Sequence, residues 1–440
     1  MNARFDLLVV GAGPGGLAAA ATAAEAGMKV CLIDDNATPG GQIWRSSALK
    51  GAHPDAAEWS RRMLAHQVEV RSGWRAIFAE TAITAKAGML RVENNGTFAD
   101  LTYSGLVLAT GARERFLPFP GWTLPGVLGA GGLQAFQKSG LEVAGKRVVV
   151  AGTGPLLLAV AANLRAAGAR IQAIVEQAPL GQLARFSWRM VFGWPGKLAE
   201  GAAYGLKLLR VPYHSGTWIA GTSGESHLLS VTVTSGGDSR EIETDMLAVG
   251  FHLVPNTELA QLIGCWVEQG YLKVNENQMT SVEGVYGVGE VTGIGGLEKA
   301  EVEGRIAALA AAGRTAEAKR LFPARDRWMR FARGLDAAFA LRKELRALPA
   351  SDTIVCRCED VTHGELETCR SWREAKLHTR CGMGPCQGRV CGPATQFLYG
   401  WAPPVPRPPV FPVEIRALVE PIAQENAGPQ SADMQAADSN

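Results

Sequence analysis

An apolar run, Phe5–Val10, meets three glycines and then an alanine-rich stretch that stops at Gly27; a second apolar run ends at Asp34. This pattern predicts strand, tight turn, helix and strand. The same order returns in "KRVVVAGTGPLLLAVAANLRAAGARIQAIVE": a strand Arg147–Ala151, a glycine turn, a helix ending near Gly168, and a strand ending at Glu176. Two further apolar runs close on glycine turns. "GLVLATGARERFLPFPGW" ends its strand at Ala109-Thr110-Gly111, and "VEGVYGVGEVTGIGG" runs into Gly287, Gly289 and Glu290. Farther on, "VTHGEL" predicts a helix start in which Thr362 and Glu365 form a capping box. From Trp401 prolines dominate and predict an extended strap. Beyond residue 427 small polar residues predict a disordered tail.

Each residue of the first turn has a mechanical task. Gly11 permits the turn, Gly13 lets backbone approach a pyrophosphate, and Gly16 lets helix and strand pack closely, with Pro14 and Gly15 opening the helix whose N-terminus faces the phosphates. Asp34, with Asp35 beside it, is placed to accept from a ribose hydroxyl. The recurrence marks a duplicated supersecondary unit. In the second copy Gly152, Gly154 and Glu176 repeat the pattern, but Leu157 stands where the third glycine belongs. A leucine there pushes helix and strand apart or shifts the helix, so NAD(P), another adenine nucleotide and no ligand at all remain open for this site.

Composition narrows the rest. A chain of 440 residues, 47% hydrophobic, is long enough for two to three domains. A net charge of +2 offers no electrostatic reason to expect nucleic acid. The N-terminus does not read as a signal peptide, because Asp6 and the glycines interrupt its apolar run. No stretch is apolar enough for a transmembrane helix. The chain is therefore expected in the cytoplasm, with peripheral contact on the inner face of the cell membrane left open.

Cysteine usage is lopsided. Six of the eight cysteines, Cys356, Cys358, Cys369, Cys381, Cys386 and Cys391, stand in one short stretch near the end, and Cys31 and Cys265 are the other two. In a reducing compartment such clustering favours a metal or cluster over disulfides. Cys356 and Cys358 form a CxC pair; Cys386 and Cys391 form a Cx4C pair. Four thiolates suffice for a [2Fe–2S] cluster. Structural zinc prefers CxxC knuckles, a spacing neither pair has. The Gly-rich "GMGPCQG" can point successive N–H groups at a cluster's sulfurs. Cys381, five residues before Cys386, is an alternative ligand, and Cys369 is read as a core or surface thiol.

With these motifs in order over residues 4–310, the sequence resembles the flavoproteins with two dinucleotide-binding domains, the glutathione-reductase-like class. The resemblance implies an α/β fold of two Rossmann-like domains plus a small helical C-terminal domain. It implies a discontinuous FAD domain, 1–115 and 250–320, around a second nucleotide domain, 116–249. A helical linker, 321–350, a cluster domain, 351–400, and the strap and tail, 401–440, would follow. It assigns Gly11, Gly13, Pro14, Gly15, Gly16, Asp34, Asp35, Gly41, Gln42, Thr110, Gly111, Gly289 and Glu290 to FAD, and Gly152, Gly154 and Glu176 to the second nucleotide. "TPGGQIW" (Thr38–Trp44) resembles the loop that passes the FAD, and Glu290 stands where Asp is usual. The CxC…Cx4C spacing is similar to the helical [2Fe–2S] domain of bacterioferritin-associated ferredoxin, with Cys356, Cys358, Cys386 and Cys391 as ligands.

Together with "FPGWTLPGV" (Phe119–Val127), the domain order resembles the flavoprotein A or alpha subunits of heteromeric amino-acid and opine dehydrogenases. That group includes octopine and nopaline oxidase A subunits, the B subunit of hydrogen cyanide synthase, D-hydroxyproline dehydrogenase subunits, and alpha subunits of archaeal proline dehydrogenase and sarcosine oxidase. In such complexes a separate FAD subunit, resembling D-amino-acid oxidases or the beta chain of sarcosine oxidase, oxidises the amine. A small ferredoxin-like subunit, together with an FMN at the interface between subunits, is part of what the group implies. No cysteine lies between Cys31 and Cys265, which excludes the redox disulfide of the disulfide reductases. No catalytic base stands out; His252 reads as structural or as a surface residue. A self-contained NADH-dependent reductase feeding a ferredoxin or quinone is the competing reading. Aromatics in Ala184–Leu209 suit either a partner interface or self-packing.

Overall fold

The computed structural model describes residues 3–44, 53–80 and 88–419. The first apolar run is the strand Ala3–Val10, which lies between Val30–Asp34 and Thr97–Leu108, parallel to both. Glu69–Ser72 extends this parallel sheet on one side, and Val285–Gly287 pairs with Leu106–Leu108 on the other. The remainder of Thr97–Leu108 pairs antiparallel with Gly88–Asn94, which in turn pairs with Arg75–Glu80. Val30–Asp34 is buried at every position, as expected of a parallel strand covered on both faces.

The helix Pro14–Glu25 explains the alanines. Every residue from Pro14 to Ala24 is buried, because the helix is held between this sheet and the helix Leu297–Ala311. Small side chains let the two helices touch: a Cβ on Gly304 would fall 2.2 Å from the Gly15 carbonyl oxygen.

The second unit is a parallel sheet in the order Tyr213–Ser215, Arg170–Glu176, Arg147–Thr153, Met246–Phe251, Val127–Gly129. An antiparallel three-stranded sheet, Trp218–Ser223, Ser230–Ser235 and Asp238–Glu243, packs beside it over Phe119, Ile219, Val231 and Phe251. Two short strands run between the units, Ala112–Glu114 outward and Leu253–Pro255 back, and they pair antiparallel with each other.

A long helix, Phe322–Ala338, leads to a small C-terminal unit. It contains the hairpin Ile354–Cys356/Val361–Thr362 and the helices His363–Glu367, Trp372–Thr379 and Cys391–Tyr399. The capping box forms as read from the sequence, with Thr362 and Glu365 each bonded to the other's backbone. After Trp401 the chain has no regular structure until the short helix Arg416–Val419. This strap returns to the first sheet, where Val410 N–H donates to the Ile77 carbonyl at 2.8 Å. The tail expected beyond 427 lies outside the described residues. Among the described residues, no helix is long and apolar enough to cross a membrane.

One buried ion pair holds the late glycine turn in place. Lys299 and Glu303, 3% and 2% exposed, sit one turn apart on Leu297–Ala311 with Nζ and Oε1 at 2.8 Å. Lys299 also donates to the Gly289 carbonyl and Thr292 Oγ1, and Glu303 accepts from Gly289 N–H and Thr292 Oγ1. Removing one partner strands the other charge in the core. We expect Lys299→Met to lower unfolding stability by about 3–5 kcal/mol, with Lys299→Met/Glu303→Leu recovering part of the loss. Denaturant titration of the three proteins checks this.

Candidate functional site

The first glycine turn is built by close backbone approach. Gly11 has φ +103°, and a Cβ there would fall 2.3 Å from the Ala109 carbonyl oxygen; one on Gly16 would fall 1.8 Å from the Gly11 oxygen. Gly13 has nothing within 4 Å on its Cβ side, so its backbone is open to a ligand. Pro14 begins the helix, and Gly15 faces Ala300. Gly41 lies against Gly13, Gly40 N–H donates to the Ala12 carbonyl, and Gln42 is exposed at the lip of that loop.

Asp34 is brought to the turn but faces inward. Its Oδ2 accepts the Ala12 N–H, and its Oδ1 accepts from Asn36 backbone and side chain at 2.7 Å. Asp35 is the exposed neighbour. Thr110 and Gly111 stand at the end of the adjacent strand, where Thr110 Oγ1 donates to the Asn256 carbonyl at 2.6 Å. Glu290 accepts N–H groups from Gly295 and Gly296 at 3.1 and 2.8 Å, and burial raises its carboxyl above the usual range against the pull of Lys299.

The second turn departs from the first where Leu157 replaces glycine. The strand runs on through Gly152 to Thr153, and the helix begins at Leu156. Leu157 is buried, with Cδ2 3.3 Å from where a Cβ on Gly250 would stand. Glu176 is satisfied within the loop by Thr153 Oγ1, Gly154 N–H and Ala178 N–H, each at 2.8 Å; burial raises its pKa nonetheless.

The chain's own linker crosses the carboxyl ends of these strands, the edge at which open α/β sheets take their ligands. Thr153 Oγ1 contacts the Phe339 carbonyl at 3.4 Å; Gln177, 0% exposed, donates to the Ala340 carbonyl and accepts from Arg342 N–H, each at 3.0 Å. Ala338 and Phe339 pack on Ala178 and Phe186. Pro155 and Leu156 remain exposed at the tip.

In the C-terminal unit the thiols converge. Sγ atoms of Cys356, Cys381 and Cys391, all buried, lie within 4.8 Å of one another. Cys386 hydrogen-bonds to Cys391 and Cys358, so the CxC pair and the Cx4C pair meet with Cys381 among them. Cys369 lies apart, its Sγ on the Glu365 carbonyl. The Cys356 thiolate is pulled down to about 2 by thiol hydrogen bonds from Cys381 and Cys391 and by the Gly382 N–H, and Cys381 is pushed up to about 12 by the same contact. Cys386 falls to about 5, helped by Cys391 and by N–H groups of Val390 and Gly388. The glycines are needed: a Cβ on Gly384 would fall 2.2 Å from Cys358 Cβ, and one on Gly382 2.5 Å from the Trp372 ring.

Residues 5–316 match the pyridine nucleotide-disulphide oxidoreductase family. The chain belongs to that family. It is 33% identical to hydrogen cyanide synthase subunit HcnB of Pseudomonas aeruginosa over 87% of this chain and 90% of that one. It is 35% identical to the A subunit of opine oxidase from Rhizobium meliloti over 95% of this chain and 99% of that one. In fold it is similar to L-proline dehydrogenase from P. horikoshii, with a TM-score of 0.68 and 17% identity, covering 95% of this chain and 80% of that chain.

This is a family of flavin-dependent oxidoreductases, and the open Gly13 backbone beside the Gly40–Gly41 loop suits the FAD it implies. Among the described residues, Arg115 Nε, Asp336 Oδ1 and Glu298 Oε2 are buried atoms without a hydrogen-bond partner. Tyr271 feels the charges of Asp336, Arg115 and Glu290; burial, with Asp336 nearby, pushes it up to about 12.

Sequence reasoning missed this group. Arg115, Tyr271 and Asp336 come from three distant segments with no common spacing. It also missed the Lys299–Glu303 pair, whose i,i+4 spacing reads as a solvated helix face. His252, expected to be structural or a surface residue, is half-buried; burial lowers its pKa, against a hydrogen bond with the Phe339 backbone. The aromatics of 184–209 divide. Phe186 and Trp194 pack against Phe331, whereas Trp188 and Phe192 are 66% and 75% exposed.

With the linker across the second turn, stopped-flow mixing with NADH is expected to leave the flavin absorbance of the purified chain unchanged within seconds. Rapid bleaching would show that residues 337–342 leave the groove.

Proposed function

We propose that this chain is the FAD- and [2Fe–2S]-containing electron-transfer subunit of a heteromeric dehydrogenase or oxidase acting on an amino acid or opine. Oxidation of the amine takes place in a partner FAD subunit resembling D-amino-acid oxidases. The observation that carries the reading is the convergence of Cys356, Cys358, Cys381, Cys386 and Cys391 in a unit docked on the crossing that ends the first sheet. The kinship with proteins described as subunits of opine oxidase and hydrogen cyanide synthase supports the partner. Exposed Trp188 and Phe192 leave an apolar edge for it to cover.

In this reading the FAD unit comprises 1–115 and 250–320. The pairing of Val285–Gly287 with Thr97–Leu108, in the sheet of the first glycine turn, supports that division. Gly11, Gly13 and the N-terminus of Pro14–Glu25 hold the pyrophosphate, with Asp34 and its neighbour Asp35 at the ribose. Cys356, Cys358, Cys386 and Cys391 hold the cluster, with N–H groups of Gly382, Gly388 and Val390 favouring its reduced state. FAD supplies two-electron chemistry and the cluster one-electron transfer; the protein supplies the distance between them.

The linker lying on Thr153 and Gln177, at the ends of two strands of the second sheet, favours this reading over a self-contained NADH reductase. Purified alone, the chain should bind FAD and oxidise no amino acid or opine; substrate-driven bleaching of its flavin would overturn the proposal. Cys358→Ser and Cys386→Ser should each abolish the cluster's visible absorbance and reduced-state EPR signal while FAD stays. Cys369→Ser should change neither. Loss of the signal in Cys381→Ser, with retention in Cys386→Ser, would exchange those two ligands. Zinc without iron in anaerobically prepared protein would end the relay reading.

A further inference from the structure

Arg113 belongs to no motif, yet its guanidinium joins three segments. Nη1 donates to Asn256 Oδ1 at 2.7 Å and pairs with Glu258 Oε1 at 2.8 Å; Nε donates to the backbone oxygen of Arg389 at 3.1 Å. Asn256 is stapled to the end of the first sheet: Thr110 Oγ1 donates to its carbonyl at 2.6 Å, and its Nδ2 donates to the Thr110 carbonyl at 2.9 Å. Arg389 lies between Cys386 and Cys391. Its N–H donates to the Cys386 carbonyl at 3.0 Å, and its Nη2 to the Val410 carbonyl of the strap at 2.6 Å. From Thr110 to the cysteine loop the bonded path needs only two side chains, Asn256 and Arg113.

The contacts are sheltered. Arg113, Glu258 and Arg389 side chains are 25%, 19% and 17% exposed, so charge-assisted bonds here are stronger and less screened than at the surface. They are not what docks the C-terminal unit. That contact has its own anchors: Trp122 Nε1 donates to the Ile354 carbonyl at 2.6 Å, Arg357 lies over the Trp122 ring, and Phe397 packs on the core around Leu345. Arg113 therefore acts on the loop rather than on the domain.

We propose that Arg113 is a positioning residue for electron transfer, holding the cysteine loop 386–391 at a fixed distance from the Thr110–Gly111 crossing. The inference rests on the cofactor assignment above. The step it serves moves one electron from reduced flavin, which is oxidised, to the oxidised cluster, which is reduced. The flavin's proton goes to solvent, and an external one-electron acceptor such as ferricyanide takes the cluster's electron. A loop that wanders lengthens the transfer distance in part of the population, and transfer slows even though both cofactors are present.

The test uses the full chain with Arg113→Met and Arg113→Lys. In Arg113→Met, FAD and iron content and the cluster's EPR line shape should match the parent. Flavin-to-cluster transfer after flash photoreduction should slow by about tenfold or more, and Arg113→Lys should recover part of it. Hydrogen exchange on the metal-free Arg113→Met chain should show faster exchange at 386–391 and no change at Ile354–Cys356. An unchanged transfer rate with both cofactors bound overturns the proposal, as does unchanged exchange in the loop. If Arg113→Met loses its iron, Glu258→Gln, which keeps an acceptor but removes the charge, carries the rate measurement under the same criterion. A parent chain that holds no cluster refutes the cofactor assignment instead, and the exchange experiment still decides whether Arg113 holds the loop.

Discussion

Two strands of three residues each, Ala112–Glu114 and Leu253–Pro255, set where everything else sits. Their register pairs Glu114 with Leu253, Arg113 with Val254 and Ala112 with Pro255. In an antiparallel pair a slip of one residue sends every side chain to the opposite face. Asn256 prevents the slip: its N–H donates to the Gly111 carbonyl, and its side chain and carbonyl both bond Thr110. Three consecutive charges are then distributed. Glu114 accepts the N–H groups of Gly131 and Gly132 at the start of a second-unit helix, Arg113 reaches the cysteine loop, and Arg115 stands near half-buried Tyr271. One staple thus aligns two sheets, the cysteine-rich unit and a candidate flavin environment.

A second regularity is that acids at the glycine turns serve the turns. Asp34, Glu176, Glu290 and Glu303 accept N–H groups of Ala12, Gly154, Gly295–Gly296 and Gly289 respectively. Glycine turns present N–H groups that neighbouring helices cannot satisfy, and a buried carboxylate both satisfies them and is stabilised by them. Where burial still dominates, as at Glu176 and Glu290, the pKa rises. The turns are thereby rigid before any ligand arrives, and the N–H groups left over keep a fixed aim.

This explains what the sequence could and could not reveal. The glycine turns, both parallel sheets and the capping box follow from local spacing, because each is a short-range steric demand on the backbone. The position of Asp34 was legible for the same reason, but its partner was not: a carboxylate at the end of that strand reaches a ribose or its own loop with equal ease, and spacing does not distinguish them. Leu157 announced a changed second turn, and the helix does begin later. Nothing local announced that Phe339–Arg342, more than 160 residues on, would lie across it. The Arg115–Tyr271–Asp336 group is hidden in the same way, since tertiary folding alone brings its members together.

The cysteines show the limit in its sharpest form. Cys381 to Cys386 and Cys386 to Cys391 have identical spacing, so a Cx4C reading fits either pair. Geometry breaks the degeneracy only partly. Cys391 is common to both contacts, touching Cys356 and Cys381 on one side and Cys386 on the other, while Cys358 is reached through Cys386. A two-iron cluster needs four thiolates, and five are present. Contact between Cys381 and Cys356 raises the first thiol and lowers the second, so the two sulfurs already share one site in the metal-free chain. The N–H groups divide the same way. Those of Val390 and Gly388 reach Cys386, those of Gly382 and Glu359 reach Cys356, and that of Cys386 reaches Cys358. In the reading proposed above, that distribution is the reason for taking Cys386 rather than Cys381 as the fourth ligand.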